Sequence, residues 1–322
     1  MKIVITGGMG LIGHNIVAKL QDEHEVVIID NHTNYGFIPT KEIDYLISER
    51  RKKITKYINY PIDIAQGENI NVVFKRFKPD LVIHCASFPR QKAVEANPAT
   101  GARVMCEGLT NLLEASANNN VKRFLYVSSS MVYGDFETDV TEDVECNPIG
   151  QYGIFKYMGE KLVQDYSRRT GIEYIIIRPS AVYGELDVED RVVSKFVLNA
   201  IRGKTLKVNG PDEVLDFTYV DDASEGIVQA ALSPNTANQI YNITRSSDRL
   251  WTLQDAAKLA ISIAGNGDLI VGPRDLSFPK RGRLSIDKAI KDFGYSPKVN
   301  VEEGFRKYYD WLKNSSYYMG NK

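Results

Sequence analysis

The chain has 322 residues, 43% of them hydrophobic and 25% charged, with 40 Lys and Arg against 41 Asp and Glu. This is ordinary globular composition, long enough for one or two domains, and a formal charge of −1 leaves no basic excess for coating nucleic acid or anionic lipid. Three scattered cysteines (Cys85, Cys106, Cys146) form no disulfide framework or CxxC, no His/Asp/Cys spacing suggests a metal, and neither a secretory leader nor an apolar run of about 18 residues is seen; the expectation is a cytoplasmic protein without a membrane span.

In chain order, short β-branched runs alternate with longer helix-like stretches. Ile3-Val4-Ile5, Val26-Val27-Ile28-Ile29, Leu81-Val82-Ile83, Phe124-Leu125-Tyr126-Val127 and Tyr174-Ile175-Ile176-Ile177 read as strands buried on both faces. Helices are predicted near 11–21, 98–119 and 152–170, and an irregular or helical excursion from Tyr35 to Ile58. The alternation predicts an α/β fold built on a parallel sheet. Beyond Arg178-Pro179 turn-rich stretches such as Asn209-Gly210-Pro211-Asp212 break the pattern. A first lobe is therefore placed at 1–180, with a return segment near 217–240, and a smaller lobe mainly at 181–322.

Thr6-Gly7-Gly8-Met9-Gly10-Leu11-Ile12-Gly13 lies between the first strand and the first helix. Glycines at 7, 10 and 13 allow a tight turn, close approach of a pyrophosphate to backbone, and close packing of helix on strand, while the helix N-terminus offers N–H groups to the anion. Glycines alone would also make a flexible turn; their position, and Asp30 at the end of the next strand, favour a dinucleotide. Asp30 can accept both ribose hydroxyls and would repel a 2′-phosphate, and no arginine lies in Asp30–Asn34, which favours NAD over NADP. Asp63-Ile64 after a turn could hold an adenine amino group or simply face solvent.

Tyr152-Gly153-Ile154-Phe155-Lys156 puts a phenol and an ammonium on one helical face. Lys156, helped by the charge of bound NAD, would lower the phenol pKa and make Tyr152 a proton acceptor for a hydroxyl being oxidised. Alone, the pair is common and reads more readily as an exposed helical contact. Ser128-Ser129-Ser130 emerge at the carboxyl end of a buried strand, where ligands bind in such sheets; Ser129 could bond the reacting oxygen, or the serines could close a local turn. His84, at a strand end, reads as a structural imidazole, and Tyr183 and Phe217 as packing rather than stacking surfaces.

Taken together, these residues resemble the extended short-chain dehydrogenase/reductases, in the nucleotide-sugar epimerase/dehydratase branch. Gly108–Ala115, Arg178–Gly184, Asp216–Asp222, Ser285–Ala289 and Phe293–Pro297 extend the resemblance over nearly the whole chain. It implies a Rossmann-type doubly wound parallel sheet with a smaller C-terminal α/β substrate lobe. It also implies NAD held by Gly7, Gly10, Leu11, Ile12, Gly13, Asp30, Asn31, Asp63, Ile64, Ala86, Tyr152 and Lys156. The implied catalytic residues are Ser129, Tyr152 and Lys156, and the substrate a nucleoside-diphosphate sugar, a UDP-sugar being favoured, contacted by Ser129, Ser130, Tyr152 and Arg281. Helices near 98–119 and 152–170 imply a homodimer.

The departures from the branch narrow the chemistry. Sugar 4,6-dehydratases carry Thr-Asp-Glu where this chain has Ser129-Ser130-Met131, so the acid and the base for dehydration are missing. Met105 and Ala181 replace usual asparagines, and Leu215 replaces an arginine that grips the substrate diphosphate, a charge-assisted contact. Lys280, Arg281 or Arg283 could supply that charge, or form a solvated basic loop; Arg90 and Lys92 present the same choice. The expectation is a 4-epimerase. The alternatives are a 4-dehydrogenase, decarboxylase or ketosugar reductase working through the same half-reaction, or a non-catalytic NAD-binding scaffold.

Overall fold

The computed structural model describes residues 1–33, 36, 38–88, 90–137 and 139–320. Tyr35, where the predicted excursion starts, lies outside them, as do Asn34 and Pro89. The first half alternates strand and helix: β1 Lys2–Thr6, α1 Leu11–Leu20, β2 Glu25–Ile29, α2 Thr40–Lys53, β3 Ile58–Tyr60, α3 Gly67–Phe77 and β4 Leu81–His84. Then come α4 Gln91–Ala96, α5 Pro98–Ala102, a π-helical turn Arg103–Glu107, α6 Gly108–Asn118, β5 Arg123–Val127, α7 Gln151–Thr170 and β6 Glu173–Pro179. The remainder holds β7 Val182–Tyr183, α8 Val192–Ile201, β8 Leu206–Asn209, β9 Thr218–Tyr219, α9 Val220–Leu232, β10 Gln239–Ile243, α10 Leu253–Ala264, β11 Leu269–Gly272, α11 Asp287–Phe293 and α12 Val301–Asn314.

Seven strands form one parallel sheet in the order β10-β6-β5-β4-β1-β2-β3. All five apolar runs picked out in the sequence lie in it. They are buried on both faces, and the pleat decides which residue goes where. Ile3, Ile5, Val26, Ile28, Leu125, Val127, Ile175 and Ile177 face one core, with α1 and α9 over it. Val4, Val27, Ile29, Phe124, Tyr126 and Ile176 face the other, under α3 and α6. The fold is the Rossmann-type doubly wound sheet. Strand order reverses between β1 and β4, and there the strand ends open a crevice.

β3 and β10 carry no uninterrupted apolar run, so the sequence signal that marked the other strands is missing: β3 is a three-residue edge strand, and β10 arrives from beyond the first lobe. A third core, containing Phe196, Leu206, Phe217, Trp251, Phe305 and Tyr308, sits beneath α8, α10 and α12. Tyr183 and Phe217 are buried there, edge to face at 6.2 Å, so both rings pack. No described helix is long and apolar enough to cross a membrane.

Two imidazoles tie this frame together. His84 at the end of β4 meets Thr6 Oγ1 at 2.6 Å, and His14 in α1 bonds the Gly10 carbonyl through Nδ1 at 2.8 Å. Burial pulls both pKa values from 6.5 to about 3. Below pH 6.5 the unfolded chain therefore takes up protons that the folded chain refuses. Stability should be insensitive to these groups above pH 6.5 and fall as pH drops, by up to about 1.4 kcal/mol per pH unit for each histidine. Urea midpoints at pH 7.5, 6 and 5 measure this. The His84→Asn variant should lose about half of the histidine-dependent slope, and an unchanged slope would clear His84 of the effect.

Candidate functional site

The crevice at the switch point continues toward the third core as a cleft of about 1130 Å³. That is more than one drug-sized ligand fills, and enough for a dinucleotide with a second nucleotide. One wall is the Gly-rich turn. Gly7 has φ +67°, and a Cβ there would stand 2.7 Å from the Ala86 amide nitrogen; a Cβ on Gly13 would stand 2.1 Å from the Gly7 carbonyl oxygen. The turn thus has its shape because nothing larger than hydrogen fits at either position. Gly10 stands at the N-cap of α1 without a side-chain cap, and Gly7, Gly10, Leu11, Ile12 and Gly13 all line the cleft.

Asp30 and Asn31 line the cleft at the end of β2. One Asp30 carboxylate oxygen accepts the Met9 amide and the other the His32 amide, each at 2.8 Å, so the group is aimed beside the turn. Ile64 and Ala86 also line the cleft. Asp63 stands next to it, accepting from the Ala65 amide at 2.9 Å and from Arg103 Nη2 at 3.1 Å. A turn that excludes side chains, a free helix N-terminus and a carboxylate at the next strand end fit a dinucleotide with an unmodified adenosine ribose. Arg50, not singled out in the sequence, locks this wall. From α2 its guanidinium donates to the Met9 and Leu186 carbonyls, both at 2.6 Å. It lay in a charged stretch with no motif around it, so no local signal marked it.

The opposite wall comes from β5 and α7. Ser129 Oγ accepts the Met131 amide at 3.2 Å, and Ser129 and Tyr152 both line the cleft. Lys156 is buried one turn further along α7; its Nζ donates to the Val127 carbonyl at 2.7 Å and lies 6.0 Å from the Tyr152 ring centre. Burial pulls the Lys156 pKa down to about 8. Burial also pushes the Tyr152 phenol above its ordinary value, and the groups that pull it back are the Arg191 charge and the Ser129 hydroxyl. Sequence reasoning gave that role to Lys156 with the charge of bound NAD; Arg191, at the start of α8 and in no recognised motif, was not singled out.

Ser128 behaves differently from Ser129. Its hydroxyl donates to Glu160 Oε1 at 2.6 Å, and Glu160 is gripped by Arg178 through Nε at 3.0 Å and Nη2 at 2.7 Å. Ser130 starts the short turn Ser130–Tyr133 and lines the cleft with Met131. Of the three basic residues expected to compete for an anion, only Arg281 lines the cleft. Arg283 forms a two-pronged pair with Asp139 at 2.7 and 2.8 Å, and the Lys280 backbone is tied to Asp135 and Phe136. Arg90 and Lys92 line the cleft but pair with Asp190 and Asp275. Leu215 is buried in the third core and reaches the cleft. No group of three His, Cys, Asp or Glu among the described residues could hold a metal.

The sequence profile of the NAD dependent epimerase/dehydratase family matches residues 3–244. A Methanocaldococcus jannaschii protein carrying the provisional name UDP-glucose 4-epimerase is 31% identical over 325 residues, covering 98% of this chain and 99% of its own. Among solved structures, the Thermotoga maritima UDP-glucose 4-epimerase with UDP-glucose superposes with a TM-score of 0.87 at 26% identity, over 97% of this chain and 99% of that one. The Bacillus cereus UDP-glucuronic acid 4-epimerase with UDP-glucuronic acid and NAD gives 0.88 at 25% identity, with the same coverage.

Proposed function

The chain belongs to the NAD-dependent epimerase/dehydratase family, and from that premise we propose that it is a nucleoside-diphosphate-sugar 4-epimerase, with a UDP-sugar the favoured substrate. One observation carries the choice within the family. Ser129, Tyr152 and Lys156 all line the cleft, while the next two positions after Ser129, Ser130 and Met131, provide no carboxyl to expel a hydroxyl or abstract a second proton. Dehydration is thereby disfavoured, and reversal of the oxidation on the other face inverts the carbon.

NAD, held by the Gly-rich turn and Asp30, supplies reversible hydride acceptance with no net redox change. The Tyr152 phenolate takes the proton of the C4 hydroxyl, and Ser129 holds that oxygen by a hydrogen bond. The Arg191 charge and the Ser129 hydroxyl offset part of the cost of ionising a buried phenol. After the 4-keto sugar has turned in the cleft, Tyr152 returns its proton. We further place the protein in the cytoplasm as a homodimer; Ile154 and Met158, one turn apart on α7, expose apolar surface for a second copy.

Incubation of the purified protein with UDP-, GDP- and CDP-sugars, without added reductant, should interconvert C4 epimers of at least one, with no accumulation of NADH. Failure to invert any sugar while NAD is bound would reject epimerisation. Net NADH or carbon dioxide would identify a dehydrogenase or decarboxylase instead.

A further inference from the structure

Among the described residues, Arg281 lines the cleft with no ion pair of its own. Its only described polar neighbour is the Met131 sulfur, 3.9 Å from Nη1, and its Nε is screened from solvent with no partner. The carboxylate whose field reaches it, Glu213, is taken by Arg274 at 2.6 Å. Around the same cleft Arg90, Lys92 and Lys195 each pair with a carboxylate, and Arg191 stands 4.0 Å from Asp187. A guanidinium set against a thioether and 5.9 Å from the Phe278 ring is costly to hold unless something anionic arrives. The cost shows as a pKa pulled by burial to about 10. Backbone bonds on both sides, Phe136 N–H to the Lys280 carbonyl at 2.9 Å and Val140 N–H to the Arg283 carbonyl at 3.4 Å, fix the residue beside the Ser130–Tyr133 turn.

We propose that Arg281 binds a carboxylate carried by the sugar itself, so that the preferred substrates are nucleoside-diphosphate uronates. This rests on the sugar-nucleotide reading of the cleft. The placement argues for the sugar rather than the diphosphate. Met131 donates its amide to Ser129, the hydroxyl assigned to the C4 oxygen, so its neighbour Arg281 stands at the C4 end of the ring. In a hexopyranose C6 hangs from C5, next to C4, whereas the diphosphate leaves from C1 across the ring. Met131 completes the fit. A glutamate there would neutralise Arg281 internally and repel a uronate; a methionine does neither.

Calorimetric titration of the NAD-loaded protein tests this without requiring turnover. In whichever nucleotide series binds best, the uronate should bind more tightly than the neutral hexose form. Arg281→Met should weaken the uronate about 10- to 100-fold while changing the neutral sugar and the free nucleoside diphosphate by less than about threefold. Met131→Glu should weaken the uronate by at least as much, which keeps the test open if Arg281→Met does not fold. Equal weakening of all three ligands would assign Arg281 to the diphosphate and overturn the proposal. So would no change, or a wild-type preference for the neutral sugar. Selective uronate binding without C4 inversion would leave this inference standing and reject the epimerase; inversion without uronate preference would do the opposite; and no binding by any nucleotide would reject both.

Discussion

Tyr152→Phe should lower kcat about 1,000-fold, within the range that a positioned acid–base group contributes, while the protein keeps its fold and its NAD. The change removes one oxygen and almost no volume. The ring that packs against the core under α3 and α6 is kept, so the denaturation midpoint should hardly move. Because the phenol lies above its ordinary pKa through burial, wild-type kcat should rise with pH as the phenolate population grows, and the residual rate of the variant should lose that rise. Stopped assays of C4 inversion between pH 6 and 9, with retained NAD measured by absorbance after denaturation, separate chemistry from binding. A variant within tenfold of wild type would show that another group takes the proton.

Arg178→Met should cost about 3–5 kcal/mol of stability, the penalty for leaving one member of a buried ion pair unmatched. Glu160 and Arg178 are 1% and 3% exposed at their side chains, and the pair also holds Ser128. Removing the guanidinium leaves the Glu160 carboxylate with the Ser128 hydroxyl alone and loosens the strand end from which Ser129 projects. The double variant Glu160→Gln/Arg178→Met removes the orphaned charge and should recover more than half of the loss. Urea unfolding, read at the midpoint with the slope checked for constancy, measures both. A single-variant loss under 1 kcal/mol would mean that water enters to solvate the carboxylate.

The two results bear on different links of one chain. The first concerns a group that acts on substrate, the second a buried pair that holds Ser128, the neighbour of Ser129. Ser129 is exposed to the cleft because Ser128, its neighbour on the other side of the pleat, is committed to Glu160. Three adjacent serines look alike in the sequence; alternation along the strand and one buried carboxylate give them different work.

Much of the frame was legible because it depends on short-range rules. Continuous β-branched runs must be buried on both faces, glycines 7, 10 and 13 leave one shape for the turn, and Tyr152 and Lys156 share a face at a spacing of four. Those constraints act within a few residues, so the order of residues alone determined five sheet strands, the NAD wall and the position of the phenol. What required the tertiary structure was whatever depends on partners far along the chain. β10 joins the sheet from residue 239, Arg50 reaches back 41 residues to Met9 and across 136 to Leu186, and the Arg191 charge at the start of α8 also pulls on the phenol. Of the candidate cations of the 280–283 loop, Arg283 is paired with Asp139 from 144 residues upstream, while Arg281 lines the cleft. Whether a charge is spent or free is fixed by desolvation and by the neighbour that folding supplies, and neither is written in the local sequence.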